Sequence, residues 1–219
     1  MYYLSRVQID VNNRQKTKSL THLGAFHNWV EQSFPDELEA GERSRHLWRI
    51  DTLAGKKYLL ILSPDKPDIQ HLLKYGVLGT AEIKSYDNFL AHIQEGQIMR
   101  FRLTANPTHS VTKPGEKKKR VFPHITVAQQ QKWLEDRAEK SGFKLLDSTS
   151  TEAEKSFDIV NRSWQLLRRE NGHRVRLSSV TFEGLLQVED VTRFRQVLVN
   201  GIGREKAFGM GLMTVIPEG

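Results

Sequence analysis

The 219-residue sequence contains no cysteine. That single absence excludes disulfides, thiolate zinc sites, iron–sulfur clusters and a cysteine nucleophile. No stretch approaches the roughly 20 apolar residues that a membrane-spanning helix needs, so no membrane partner is expected. Residues 1–10 alternate polar and apolar side chains without an apolar centre. No secretory signal is therefore expected, and the chain should stay in the cytoplasm. His-x-x-x-His and Asp-x-Asp spacings are missing, so neither a built-in metal nor a cofactor is expected. There is no Gly-Lys-Ser/Thr loop, and no glycine cluster follows a first strand, which disfavours nucleotide and dinucleotide binding.

What is present is positive charge. Lys and Arg total 33 against 26 Asp and Glu, a net charge of +7. A basic domain with 38% hydrophobic residues has enough apolar side chains for a core and a surface suited to a polyanion, most often nucleic acid. The charge falls in three clusters. Lys113, Lys117, Lys118, Lys119 and Arg120 share a loop that also holds Pro114 and Gly115. Arg162, Arg168, Arg169, Arg174 and Arg176 flank an Asn171-Gly172 turn with His173 beside it. Arg204 and Lys206 lie in a glycine-rich loop. Each cluster alone reads as solvated surface. Together they sit on loops or a hairpin of one half of the chain, and convergence on RNA or DNA is the expectation.

Hydrophobic periodicity gives the fold class. Residues 2–11 read as a strand. Leu20, Leu23, Phe26, Val30 and Phe34 follow at helical spacing, with Pro35 expected to end the helix. Residues 46–51 and 57–63 form strands around an Ala54-Gly55 turn. Pro67 fits the first turn of a helix that buries Ile69, Leu72 and Leu73, and 80–86 is a further strand. The second half repeats the order. Residues 97–104 alternate. Thr126 and Gln129 make a capping box for a helix to about Lys140, with Gly142 as its stop. Residues 157–169 and 174–188 flank the Asn-Gly hairpin turn. Val191, Phe194, Val197 and Leu198 mark a helix ending near Gly201, and 209–216 closes the chain as a strand. The expectation is α+β: two tandem ferredoxin-like βαββαβ units, 1–90 and 97–219, joined near 87–96.

The glycine loop runs Gly201-Ile202-Gly203-Arg204-Glu205-Lys206-Ala207-Phe208-Gly209-Met210-Gly211. Gly201, Gly203, Gly209 and Gly211 lack a Cβ, so their backbone N–H groups are candidates to approach a phosphate, with Arg204 and Lys206 adding cations. A helix cap followed by a bend is the plainer alternative. Among eight histidines His27 is the catalytic candidate: it stands beside the apolar stripe of the first helix, where an imidazole can exchange a proton near neutral pH.

These features resemble the CasE family, the CRISPR repeat-processing endoribonucleases of type I-E systems. The resemblance rests on residues 1–7, on Phe26-His27-Asn28-Trp29 with Phe34-Pro35, on Phe101 to Pro107, on Val180 to Gly184, and on the Gly-hydrophobic-Gly-x5-Gly-hydrophobic-Gly pattern. It runs from end to end. It implies binding of the CRISPR RNA repeat hairpin and one cut at the 3′ base of its stem, without metal, by the RNA's own 2′-OH. It also implies retention of the product as a subunit of the Cascade complex, where target DNA is met only through that complex. His27 matches the family's catalytic histidine, and Arg102, Lys117 to Arg120, Arg176, Arg204 and Lys206 match positions of RNA contact. Two positions depart. The family often has a tyrosine three residues before the histidine, here Gly24, and some members have a lysine five after it, here Gln32. A His–Tyr pair is therefore not carried over, the second proton-transfer group is unassigned, and a non-catalytic hairpin-binding cap remains the alternative.

Overall fold

The computed structural model describes residues 1–41, 43–112, 119–146, 157–168 and 174–218. Its first half contains β1 (Tyr3–Gln8), α1 (Arg14–Thr17), α2 (Leu23–Gln32) and α3 (Pro35–Ala40). β2 (Leu47–Leu53), β3 (Lys56–Ser63), α4 (Ile69–Leu73) and β4 (Glu82–Ser85) follow. The strands pair antiparallel in the order β2-β3-β1-β4. The β2–β3 turn has both central residues at positive φ, Ala54 at 49° and Gly55 at 74°, as a two-residue hairpin of native twist requires.

α2 ends at Gln32, ahead of Pro35 as expected, and Pro35 then opens α3 at its first turn, where its missing N–H has no cost. Two local expectations change. Pro67 lies outside α4, whose N-cap is Asp68 accepting from the His71 N–H. Of the expected apolar face of α4, Leu72 is fully buried, whereas Ile69 is 49% exposed because the helix is only five residues long and turns that position outward.

The second half begins after a short α5 (Asp87–Ala91) in the join. It comprises β5 (Ile98–Ala105), β6 (Thr108–Thr112), β7 (Lys119–Pro123), α6 (Val127–Ala138), β8 (Phe143–Leu145), β9 (Phe157–Arg168), β10 (Arg174–Val188), α7 (Val191–Asn200) and β11 (Met213–Pro217). The sheet runs β11-β5-β10. Along the far edge of β10, β9 pairs with residues 174–184 and β8 with residues 186–188. Leaving out β8, this is the same ferredoxin-like order as in the first half. The Thr126–Gln129 capping box is present, and Gly142 adopts φ +78° after the last turn. The β6–β7 hairpin was not expected: the alternation flanking the 113–118 loop is short, and both strands lie mostly exposed, so no apolar stripe marks them. Lys113, Lys117, Lys118, Arg169, His173 and the Asn171-Gly172 turn lie outside the described residues.

The halves join where β2 lies beside β11 and through a shared core, in which Leu47 and Leu62 of the first sheet are buried among second-half residues. Successive β2 residues point to opposite faces, so Leu47 enters the core of the second half and Trp48 that of the first. Arg49, 2% exposed, spends all five N–H donors. Nε and Nη2 donate to Asp51 at 2.7 Å each. Nη1 donates to the carbonyls of Arg102 (2.8 Å) and Leu212 (2.9 Å), and Nη2 also to Thr214 Oγ1 (2.8 Å). Removing this guanidinium leaves the Asp51 carboxylate with only the longer Arg102 contact and takes a donor from two carbonyls, a loss of about 3 kcal/mol or more. Urea unfolding of Arg49→Met is expected to show that loss; a change below about 1 kcal/mol would mean that the clamp does not hold the two sheets together.

Candidate functional site

α2 is anchored by Leu23, Trp29 and Val30, all buried, which leaves the intervening His27 at the rim. The His27 ring meets the edge of Phe208 (centroids 5.6 Å apart), from the short turn Lys206–Phe208 inside the glycine loop. Its Nδ1 lies 3.9 Å from Glu31 Oε1, one helical turn on. The same oxygen lies 3.1 Å from Nδ1 of His46, whose Nε2 lies 3.1 Å from Glu37 Oε1. His46 is stacked on Phe34 at 3.8 Å. Burial lowers the His27 pKa; Glu31 opposes this, and the positive charges of Arg43 and His46 add to it. At His46 burial also pulls downward, but hydrogen bonds to two carboxylates outweigh it and raise the pKa. Glu31 is held low, chiefly by that hydrogen bond.

Two clefts meet at His27. One, of 920 Å³, is lined by His22, Gly24, His27, Gln32, Arg43 and Arg168 among others. The other, of 860 Å³, is lined by His27, Arg43, Arg45, Arg204 and Lys206 among others. Arg43, Arg45, Arg168 and Arg204 make no ion pair among the described residues. Lys206 donates to the Asn200 carbonyl at 2.7 Å, and burial, with Arg45 beside it, lowers its pKa. Gln32 accepts from Lys74 Nζ at 2.9 Å, so a cation from α4 stands at that edge of the cleft. The site thus presents one neutral-leaning imidazole between free cations, suited to hold a phosphodiester and move a proton at it.

The basic residues expected to bind RNA divide. Arg204, Lys206 and Arg168 border the His27 clefts. Arg174 is exposed and pairs in register with Arg168, and Arg176 is exposed beside the cleft-lining Leu177. Lys119 and Arg120 are exposed on β7, next to Val121, which lines the second cleft. Arg102 is elsewhere: it is committed to Glu183 and, through Nε at 3.3 Å, to Asp51 beside the Arg49 clamp, and it borders neither cleft.

The glycines of the loop are also packing positions. A Cβ on Gly209 would stand 2.6 Å from the Trp48 ring, on Gly203 2.9 Å from Trp133, and on Gly201 or Gly211 2.9 and 2.7 Å from backbone carbonyls. All four have positive φ. The N–H groups of Gly201, Ile202 and Gly211 are spent on Val197, Gly211 and Thr104 carbonyls. Close packing against tryptophan rings and backbone carbonyls is enough to require glycine at these positions.

Sequence reasoning missed Arg43, Arg45, Glu31, His46 and Phe208. The Arg-Ser-Arg spacing just before β2 was the available signal for the first two, and the i,i+4 spacing from His27 for Glu31; His46 reaches Glu31 within the first half, and only Phe208 comes from the other half. Among the described residues no cluster of three or more His, Asp or Glu side chains stands ready to hold a metal ion, and no helix is long and apolar enough to cross a membrane.

The raised His46 pKa has a directional consequence. Its stabilising charge is fully present below the unfolded value near 6.5 and is lost as pH rises through the higher folded value. The stability difference between wild type and His46→Gln should therefore be larger near pH 6 than near pH 9; an equal difference at both would show that His46 is not charged in the folded protein.

The whole chain has relatives. Residues 2–217 match a family model described as CRISPR associated protein. The chain is 30% identical, over 98% of its length and all of the relative, to the CRISPR-associated endoribonuclease Cse3 of Thermus thermophilus. A structure of the CRISPR endoribonuclease Cse3 bound to a 19-nucleotide RNA superposes with a TM-score of 0.81 at 28% identity, covering 99% of each chain. Thermus thermophilus Cse3 bound to an RNA representing a pre-cleavage complex gives 0.79 at 27% identity, again over 99% of each. The chain belongs to the CRISPR-associated protein family that includes Cse3, the CasE family its sequence resembles.

Proposed function

We propose that this chain is an endoribonuclease of CRISPR RNA maturation that binds the repeat stem-loop and cuts it once at the 3′ base of the stem. The 2′-OH attacks the adjacent phosphorus, the P–O5′ bond breaks, and a 2′,3′-cyclic phosphate and a 5′-OH result, with no metal required. The product hairpin stays bound, and the chain serves as a Cascade subunit. Residues 1–90 supply His27 and residues 97–219 supply the basic loops.

The observation that carries this reading is His27 at the junction of two clefts edged by arginines that make no ion pair among the described residues. A pKa held low by burial keeps the imidazole neutral at pH 7, the form that accepts the 2′-OH proton. Arg43 and Arg204 stabilise the charge that builds on the phosphorane oxygens. A-form stems are held through backbone and shape, which suits exposed Arg174, Arg176, Lys119 and Arg120 on strands flanking the clefts.

Cleavage of the host's repeat RNA in excess EDTA tests the reaction. Wild type should cut, and His27→Ala or a 2′-deoxy sugar at the scissile position should reduce cutting by about 10²–10⁴-fold with hairpin affinity retained. Tight binding by wild type without cutting would make the chain a hairpin cap instead. Binding is tested separately. Arg204→Glu should weaken hairpin affinity and lower the slope of log K against log salt by about 1. An unchanged slope would remove the glycine loop from the RNA interface.

A further inference from the structure

α2 begins against local rules in two places. Its N-cap is His22, whose side chain makes no capping hydrogen bond, although Ser, Thr, Asp or Asn at that position is worth about 1 kcal/mol. Gly24 follows inside the first turn, where glycine costs about 1 kcal/mol relative to alanine. No positive φ requires that glycine. What fills the space beside it is the His22 ring: a Cβ on Gly24 would stand in tight contact, 3.0 Å from His22 Nδ1 and 3.1 Å from its Cε1. The imidazole folds back over the first turn and occupies the space a side chain would fill.

That space is in the His27 cleft. Gly24 and His27 are three residues apart on one helix face, where Cβ positions lie about 5–6 Å from each other. Both histidines line the 920 Å³ cleft, with Arg168 and Arg43 on its walls. His22 Nδ1 is buried without a hydrogen-bond partner, and neither of its ring nitrogens has one among the described residues. A half-buried imidazole with no partner is an unspent proton donor or acceptor facing a site that proton transfer needs. Sequence departures from local preference gather at functional positions for this reason.

Resting on the nuclease reading above, we infer that His22 is the second proton-transfer group of this cleft: it gives a proton to the 5′-oxygen while His27 takes the 2′-OH proton. In that step the 2′-oxygen–phosphorus bond forms and the P–O5′ bond breaks. One proton arrives on His27 and one leaves His22, so the products are a cyclic phosphate and a neutral 5′-OH. The imidazoles then exchange their protons with water.

The test uses single-turnover cleavage of two repeat hairpin RNAs, one with the natural scissile linkage and one with sulfur replacing the bridging 5′-oxygen. A thiolate leaves without being protonated. His22→Gln and His22→Asn are expected to lose about 10²-fold or more on the natural RNA, to fall within several-fold of wild type on the sulfur RNA, and to keep hairpin affinity. His27→Gln should lose on both. His22→Asn should also raise the midpoint of thermal unfolding, since asparagine caps a helix and histidine here does not. A wild-type rate in the His22 variants overturns the inference, as does equal loss on both RNAs. Wild type that binds but does not cut either RNA overturns the nuclease reading itself.

Discussion

Everything at this site depends on one buried guanidinium. Arg49 of β2, in the first half, reaches the Arg102 and Leu212 carbonyls and the Thr214 hydroxyl of the second half, beside a shared core in which Leu47 and Leu62 are buried among second-half residues. An unpaired cation at that depth would be costly; with all five donors met it becomes a directional fastener. Beside it the Trp48 indole N–H donates to the Ala207 carbonyl at 3.0 Å, and the ring lies under Gly209. The glycine loop is thereby held against the first half. Phe208 reaches His27 and Arg204 reaches the cleft only because that seam is closed.

The loop illustrates how one motif serves two ends. Its glycines are demanded by packing, because tryptophan rings and carbonyls stand where Cβ atoms would go. Its charged residues are then displayed at fixed places: Arg204 borders a cleft and makes no ion pair among the described residues, and Lys206 is tied to the helix end it follows. Rigidity of the frame matters because a proton-transfer group must stand within hydrogen-bond reach of the atom it serves. The His46–Glu31–Glu37 cluster acts likewise on the other side, fixing α2 and α3 to the segment before β2 and placing a carboxylate beside His27.

Much of the fold was legible in the sequence, and for a local reason. Alternation over 97–104, the Thr126–Gln129 box and the glycine that stops α6 are near-neighbour signals, and near neighbours are what periodicity and capping report. The helix that Pro35 opens was not legible, because a proline that follows one helix and one that starts the next look alike until the chain direction after Phe34 is known. The β6–β7 hairpin escaped because its exposed strands carry no buried stripe. That Arg102 pairs with Glu183 across strands and stands away from the two clefts was not legible, because a free cation and a paired one are the same letter.

The sequence by itself determined the class of chemistry: no thiol, a net charge of +7, two βαββαβ halves, and a histidine at the edge of an amphipathic helix. These are properties of composition and of contacts within a few residues. Only the tertiary structure decided which charges are free, which glycines are packed, and that Phe208 and His27 touch across 181 positions. It alone brought His22 over Gly24, turning an uncapped helix start into part of a cleft. Those outcomes depend on the docking of β2 against the glycine loop and β11, and no local pattern encodes the partner of a long-range contact.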